Sequence, residues 1–352
     1  MKALLFCQNP YAFSILEPLC EELFERGHEV IWFITPNLEN DFPFRDKYPF
    51  TGSIEEIYKF RSDAIFAPGN EVPHYLRGVK VQIFHGFAGE KKGHFRIRHY
   101  FDLYLTQGPY FTNRFNELAK KHADFIVTET GWSKLDRLYD RNPGDSDLRN
   151  RILEKSGSRK VILYAPTFSP SLTSANYAHD AVVSLTRDSN LFLLVKFHDL
   201  TDIKIVERYR KSLGTNIYAE IVNDRDILSS LLASDLMISD TSSVVYEFLL
   251  LDKPVITINS RSGHIKWVNI SDPSDLHQTV KSVLELDQCA DQRKWFRDNY
   301  HPYADGRSSA RMIEATEKYI AENGIPERRK LSFLGRQKIN RLFGKPHLHD
   351  RI

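Results

Sequence analysis

At 352 residues the chain exceeds one comfortable hydrophobic core, so two domains are expected. Its 41% hydrophobic and 27% charged residues exclude a disordered or fibrous protein, and a net charge of +2 argues against a nucleic-acid binder acting through bulk charge. Three scattered cysteines, Cys7, Cys20 and Cys289, suggest neither a disulfide framework nor a zinc site, which fits a reducing cytoplasm.

The opening run "KALLFCQN" reads as a strand, and Gln8, Asn9 and Pro10 interrupt it too early for a signal peptide. Leu16, Leu19, Leu23 and Phe24 then recur at helical spacing before Gly27, and "VIWFIT" supplies a second strand. Further apolar strands follow at "DAIFAP", "VKVQIFHG", "LYLTQG" and "DFIVTE", with the near-continuous hydrophobicity of parallel strands buried on both faces. After a charged, Gly/Pro/Ser-rich break at "RNPGDSDLRNRILEKSGSRK", a second series begins: "KVILYAPT", "LFLLVKFH", "NIYAEIV", "DLMISD" and "PVITIN". The expectation is therefore an α/β protein of two Rossmann-like domains, residues 1–145 and 146–325, with an interdomain cleft. No run of 18 apolar residues occurs, so no membrane span is expected.

Ligands of open α/β sheets sit outside the carboxyl ends of strands, so those ends are the places to search. "VQIF" delivers His85 and Gly86, and an imidazole there is placed to act as a general base, a structural turn histidine being the alternative. The cationic segment behind it, with Lys91, Lys92, His94, Arg96, Arg98 and His99, suits a phosphate or an anionic acceptor, or is simply a solvated basic face. "LFLLVKFH" ends in Lys196 and His198, which share one face of an extended chain and can converge on one phosphate. Thr167 closes the strand "LYAPT" with a small hydroxyl, either lining the cleft or forming a turn.

Most informative is "LMISDTSSVVYEFLLLDKPVI", where a strand ends in Asp240, Thr241, Ser242 and Ser243 and a helix of about ten residues follows. That is either an ordinary Ser/Thr cap or an anion site on unpaired helix amides, with Glu247 one turn further in. Asp240 is read as a loop-orienting group, since a carboxylate repels a diphosphate. Near the end, Arg307 in "DGRSSARMIEA" is either a phosphate clamp or part of a salt-bridged cap. Asp145, Ser146 and Asp147 form a DxD run, but capping of the following helix explains it better than a metal, and chemistry without a metal or other cofactor is expected.

Taken together, "FHG" (Phe84 to Gly86), "LYAPTF" (Leu163 to Phe168), "KFH" (Lys196 to His198), "ISDTSSVVYEFLLLDKPVI" and "DGRSSARMIEA" resemble the CDP-glycerol glycerophosphotransferase family, over about residues 80 to 320. The resemblance implies a GT-B fold, a CDP-activated donor, a glycan or lipid-linked acceptor, no nucleic-acid partner and peripheral attachment at the inner face of the cell membrane. It makes His85 the base for the acceptor hydroxyl and His198 a contact to donor phosphate. Lys196, Thr167, Asp240, Thr241, Ser242, Ser243, Glu247 and Arg307 then form the donor side, and Gly86, Lys91, Lys92, Arg96 and Arg98 the acceptor side. An NDP-sugar-dependent glycosyltransferase of the same two-domain type and a non-catalytic module for anionic polymer are the rival readings.

The segment 326–352 interleaves Leu331, Phe333, Leu334, Ile339, Leu342 and Phe343 with Arg and Lys. It is expected to be a basic amphipathic tail for an anionic membrane surface, with a partly disordered tail as the alternative.

Overall fold

Apolar runs without alternation become central strands of parallel sheets, because helices cover both faces. The computed structural model describes residues 1–87, 93–139, 145–223, 227–263 and 265–346, and in it the chain divides into two compact units, Met1–Asp140 with Asn299–Ile352, and Arg141–Asp298.

The first unit carries β1 (Lys2–Cys7), β2 (Glu29–Ile34), β3 (Phe50–Thr51), β4 (Ala64–Ala67), β5 (Val79–Gln82), β6 (Leu103–Thr106) and β7 (Ile126–Glu129). They pair in parallel in the order β3-β2-β1-β4-β5-β6-β7. Phe24, expected in the stripe read from its spacing, is exposed, whereas the helix Phe13–Glu25 buries Leu16, Leu19 and Leu23 of that stripe, and Cys20 with them. Each such side chain contributes about 1.5–3 kcal/mol by leaving water.

The second unit carries β8 (Lys160–Tyr164), β9 (Leu191–Lys196), β10 (Ala219–Val222), β11 (Leu236–Ser239), β12 (Val255–Ile258) and β13 (Val268–Ile270), again parallel, in the order β10-β9-β8-β11-β12-β13. Ile162, Leu193, Leu236, Ile238 and Ile256 belong to its core. In each sheet the strand order reverses once, between β1 and β4 and between β8 and β11, and the loops leaving those strands form the crevice where such sheets take ligands. The predicted strands are all present; β3 and β13, short edge strands, were not anticipated.

The domain boundaries differ from the expectation. Residues from Asn299 onward, assigned in advance to the second domain and a tail, pack with the first unit. Two glycines make room for them. A Cβ at Gly108 would lie 2.5 Å from the Tyr300 carbonyl oxygen, and at Gly131, with φ +84°, one would lie 2.5 Å from Ser308 Oγ. Trp132 N donates to His301 Nε2 at 3.0 Å, and Ser308 N and Ser309 N donate to the two oxygens of buried Asp136 at 2.8 and 2.7 Å. That carboxylate satisfies the first amides of the helix Ser308–Asn323.

The expected tail is likewise docked for much of its length. Arg329 donates to Asp102 at 2.6 Å, to Asp124 at 2.9 Å and to the His99 carbonyl at 3.1 Å. The helix Phe333–Phe343 buries Ile339 and sets the Phe343 ring 5.3 Å from that of Phe6. Its Phe333, Leu334 and Leu342 stay exposed, beside Arg336 and Arg341. Among the described residues, no helix is long and apolar enough to cross a membrane.

Removing one partner of a buried ion pair strands the other charge. Arg329→Ala is therefore expected to lower stability in urea titration by about 3 kcal/mol; an unchanged midpoint would show that the segment is not anchored this way.

Candidate active site

In the first unit, β5 ends just before the FHG run. Phe84 takes φ +60°, a left-handed conformation that costs a bulky residue energy and needs tertiary support. The support is visible: its ring is buried against Tyr104, Phe115 and His94, and its carbonyl accepts from Trp132 Nε1 at 3.4 Å. The sharp turn thus falls on Phe84 and not on Gly86, whose missing Cβ faces open space.

The turn leaves His85 exposed, with Nδ1 2.9 Å from the Pro68 carbonyl at the end of β4. A carbonyl only accepts, so Nδ1 carries a proton, and in the neutral ring the lone pair is on Nε2. The Tyr11 ring lies 5.2 Å from the imidazole, and Asn9 Nδ2 donates to the Tyr11 hydroxyl at 3.2 Å. Asn9 and Tyr11 leave β1 at the switch point, and the sequence reading, which took Gln8, Asn9 and Pro10 only as the end of the apolar run, missed them. The strand order, which alone puts β1 beside β4, is what brings them to His85.

The basic segment behind His85 is only partly what it promised. Lys91 and Lys92 lie outside the described residues. Arg96 is exposed, Arg98 reaches Asn70 Oδ1 at 3.3 Å, and His99 Nδ1 lies 2.7 Å from Asp124. His94 is not a surface cation: it sits among Phe84, Phe95, Phe111 and Phe115, and burial, with His85 nearby, pushes its pKa down to about 4.

In the second unit, Asp240 follows β11 and is 1% exposed. Its Oδ1 accepts from Thr167 N at 2.8 Å, and its Oδ2 from Ser174 N at 2.7 Å and Ser174 Oγ at 2.9 Å. Burial raises its pKa and these donors draw it back. The carboxylate therefore spans the switch point between β8 and β11 and ties the loop after β8 to the end of β11. Thr241 is also structural, its Oγ1 accepting from Arg261 N at 3.0 Å.

Ser242 and Ser243 are another matter. The helix behind them spans Val244–Leu250, shorter than expected, and Ser243 at its N-cap has helical backbone angles and makes no side-chain cap bond. The ordinary cap at Ser243 is thus not formed, and among the described residues neither the Ser242 nor the Ser243 hydroxyl has a hydrogen-bond partner. Glu247 is buried in that helix.

Lys196 ends β9 with its Nζ 2.9 Å from the Phe197 carbonyl and is largely buried. His198, exposed, accepts at Nδ1 from Leu200 N at 3.1 Å, which puts the proton on Nε2. Burial, and Lys196 as a further cause, lower its pKa, keeping the ring a neutral donor at neutral pH. Phe168 packs on it with ring centroids 4.4 Å apart. The two imidazoles thus have opposite tautomers, one offering a lone pair at Nε2 and the other a hydrogen.

Arg307 belongs to the first unit, not to the second as its expected donor role supposed. It is exposed, Asp305 pairs with Arg311 at 2.8 Å, and among the described residues Arg307 forms no salt bridge. The Asp145–Asp147 run opens the helix Asp145–Ser156.

The family model for CDP-Glycerol:Poly(glycerophosphate) glycerophosphotransferase matches residues 81–260. A teichoic acid glycerol-phosphate primase of Bacillus spizizenii is 24% identical over 60% of this chain and 57% of its own length, and a teichoic acid glycerol-phosphate transferase of Staphylococcus aureus 27% over 62% and 60%. The chain spans about half the length of the curated relatives it matches first. The solved structure of the wall teichoic acid polymerase TagF superposes with a TM-score of 0.64 over 91% of this chain and 89% of that one, at 17% identity, which shows a shared fold.

The tautomers can be read directly. In ¹⁵N-detected NMR above pH 7.5, His85 is expected as the Nδ1–H form and His198 as the Nε2–H form; the same form at both would contradict the assignment.

Proposed function

The chain belongs to the CDP-glycerol:poly(glycerophosphate) glycerophosphotransferase family, and we propose that it moves a glycerol-phosphate or related polyol-phosphate unit from a CDP-activated donor to a hydroxyl of a glycan or lipid-linked acceptor. His85 Nε2 takes the acceptor's hydroxyl proton while the oxygen bonds to the donor's β-phosphorus. The bridging P–O bond breaks and CMP leaves with its electron pair.

Charge develops on the diphosphate. The Lys196 ammonium, the His198 Nε2–H and the Ser242 and Ser243 hydroxyls and amides of the second unit stabilise it. Losing one such donor costs roughly 3 kcal/mol, on the order of a hundredfold in rate.

What carries the reading is the Nδ1 bond of His85 to the Pro68 carbonyl, which in the neutral ring leaves the lone pair on Nε2, at a strand's carboxyl end. The proton on His198 Nε2 gives it further support, since a phosphate needs a donor and a hydroxyl needs a base. His85→Ala is expected to lower turnover of radiolabelled CDP-glycerol by about 10²–10⁴-fold. Near-normal turnover would remove the base assignment, and turnover of UDP- or GDP-sugars in its place would favour a glycosyltransferase.

We further propose that the exposed face of the helix Phe333–Phe343, with Phe333, Leu334, Leu342, Arg336 and Arg341, rests on an anionic membrane at its inner side. Leu334→Glu with Leu342→Glu is expected to abolish flotation with phosphatidylglycerol vesicles; equal flotation would refute the contact.

A further inference from the structure

Two glutamines flank the turn that presents His85, and packing accounts for neither. Gln82 ends β5, opposite Ala67 of β4 and Tyr104 of β6, and is 3% exposed; Gln107 follows β6 and is 0% exposed. Gln82 Nε2 donates to the Pro68 carbonyl at 3.2 Å, and Gln107 Nε2 donates to the Gly86 carbonyl at 3.2 Å. Carbonyls only accept, which fixes both amides with their nitrogen toward the turn. Among the described residues, each Oε1 is buried without a hydrogen-bond partner. An unpaired amide oxygen in the interior is a cost that an apolar side chain of the same shape, such as methionine, would not carry. What the glutamines add over methionine is the N–H at the other end of the amide.

The Pro68 carbonyl oxygen has two lone pairs, and its two side-chain partners are Gln82 Nε2 and His85 Nδ1. Gln82 therefore fixes the direction of the acceptor that fixes the histidine's proton. On the His85 segment itself, Trp132 Nε1 holds the Phe84 carbonyl and Gln107 holds that of Gly86. With the residues before and after it both tethered, and Phe84 confined at φ +60°, the His85 backbone has little freedom to tilt. Releasing the Pro68 peptide would let its carbonyl turn away, and Nδ1 would lose the bond that selects its tautomer.

We propose that Gln82 and Gln107 are positioning residues for His85, Gln82 setting the tautomer of the ring through Pro68 and Gln107 setting its aim through Gly86. Each acts through a backbone carbonyl and not on the ring. The consequence for turnover rests on the function proposed above, in which His85 is the base; the consequence for the tautomer does not.

The test is ¹⁵N-detected NMR of the histidine rings at mildly alkaline pH in the full chain, in Gln82→Met and Gln82→Asn and in Gln107→Met, with turnover of radiolabelled CDP-glycerol measured in parallel and melting curves to identify the folded variants. Methionine keeps the volume and removes the donor; asparagine keeps the amide and draws it back by one methylene. The wild type is expected to hold His85 in the Nδ1–H form, and each folded Gln82 variant to raise the ratio of Nε2–H to Nδ1–H at least about tenfold, with His198 unchanged. In those variants kcat is expected to fall at least about tenfold at constant KM. Gln107→Met is expected to lower kcat in the same way with His85 still Nδ1–H. An Nε2–H His85 in the wild type, an unchanged tautomer in a folded Gln82 variant, a shift shared by His198, or undiminished kcat in an active enzyme would overturn the proposal. Absence of turnover by the wild type would count against the transferase reading alone, because the tautomer is read without substrate.

Discussion

A carboxylate taken out of water without a cation beside it must be held by hydrogen-bond donors, and Asp240 is held by three: the amides of Thr167 and Ser174 and the Ser174 hydroxyl. Desolvating such an ion costs several kcal/mol. Hydrogen bonds to charged groups return about 1.5–3 kcal/mol each, so three donors are needed to offset it. The consequence is geometric. The loop after β8 is fastened to the end of β11, and the Ser242–Ser243 segment takes its shape from that fastening.

The first unit solves a parallel problem with a strained backbone. Phe84 holds a left-handed conformation because a cage of aromatic rings fixes its side chain, and the result is an imidazole whose Nδ1 meets a carbonyl. His94, which completes the cage, is kept neutral by it. A base and a neutral donor arise from one residue type because their backbone surroundings differ, a carbonyl at Pro68 for one ring and an amide at Leu200 for the other.

Much of this was legible in the sequence. Central strands are buried on both faces, so β5, β9 and β11 announce themselves as apolar runs, and the residues just past them, His85, His198 and Asp240, could be named from those runs alone. The edge strands β3 and β13 are only two and three residues long and carry too little pattern to be read. Nor could the return of residues from Asn299 to the first unit be seen, since it depends on the space left by Gly108 and Gly131 and on the buried carboxylate of Asp136, contacts far apart in the chain. The protonation of the two histidines was equally hidden, because it is set by backbone groups and not by neighbours in sequence. Charge patterning misled twice: His94 is enclosed by rings, and Arg329 is spent on Asp102 and Asp124 and not on a membrane.

The most direct test is calorimetric titration of CDP-glycerol into the wild type and Asp240→Asn, with a melting curve to confirm that the variant is folded. The account predicts binding to the wild type and affinity at least about tenfold lower in the variant, whose side-chain amide would oppose the Thr167 or Ser174 donors. Undiminished affinity in a folded Asp240→Asn protein would contradict it.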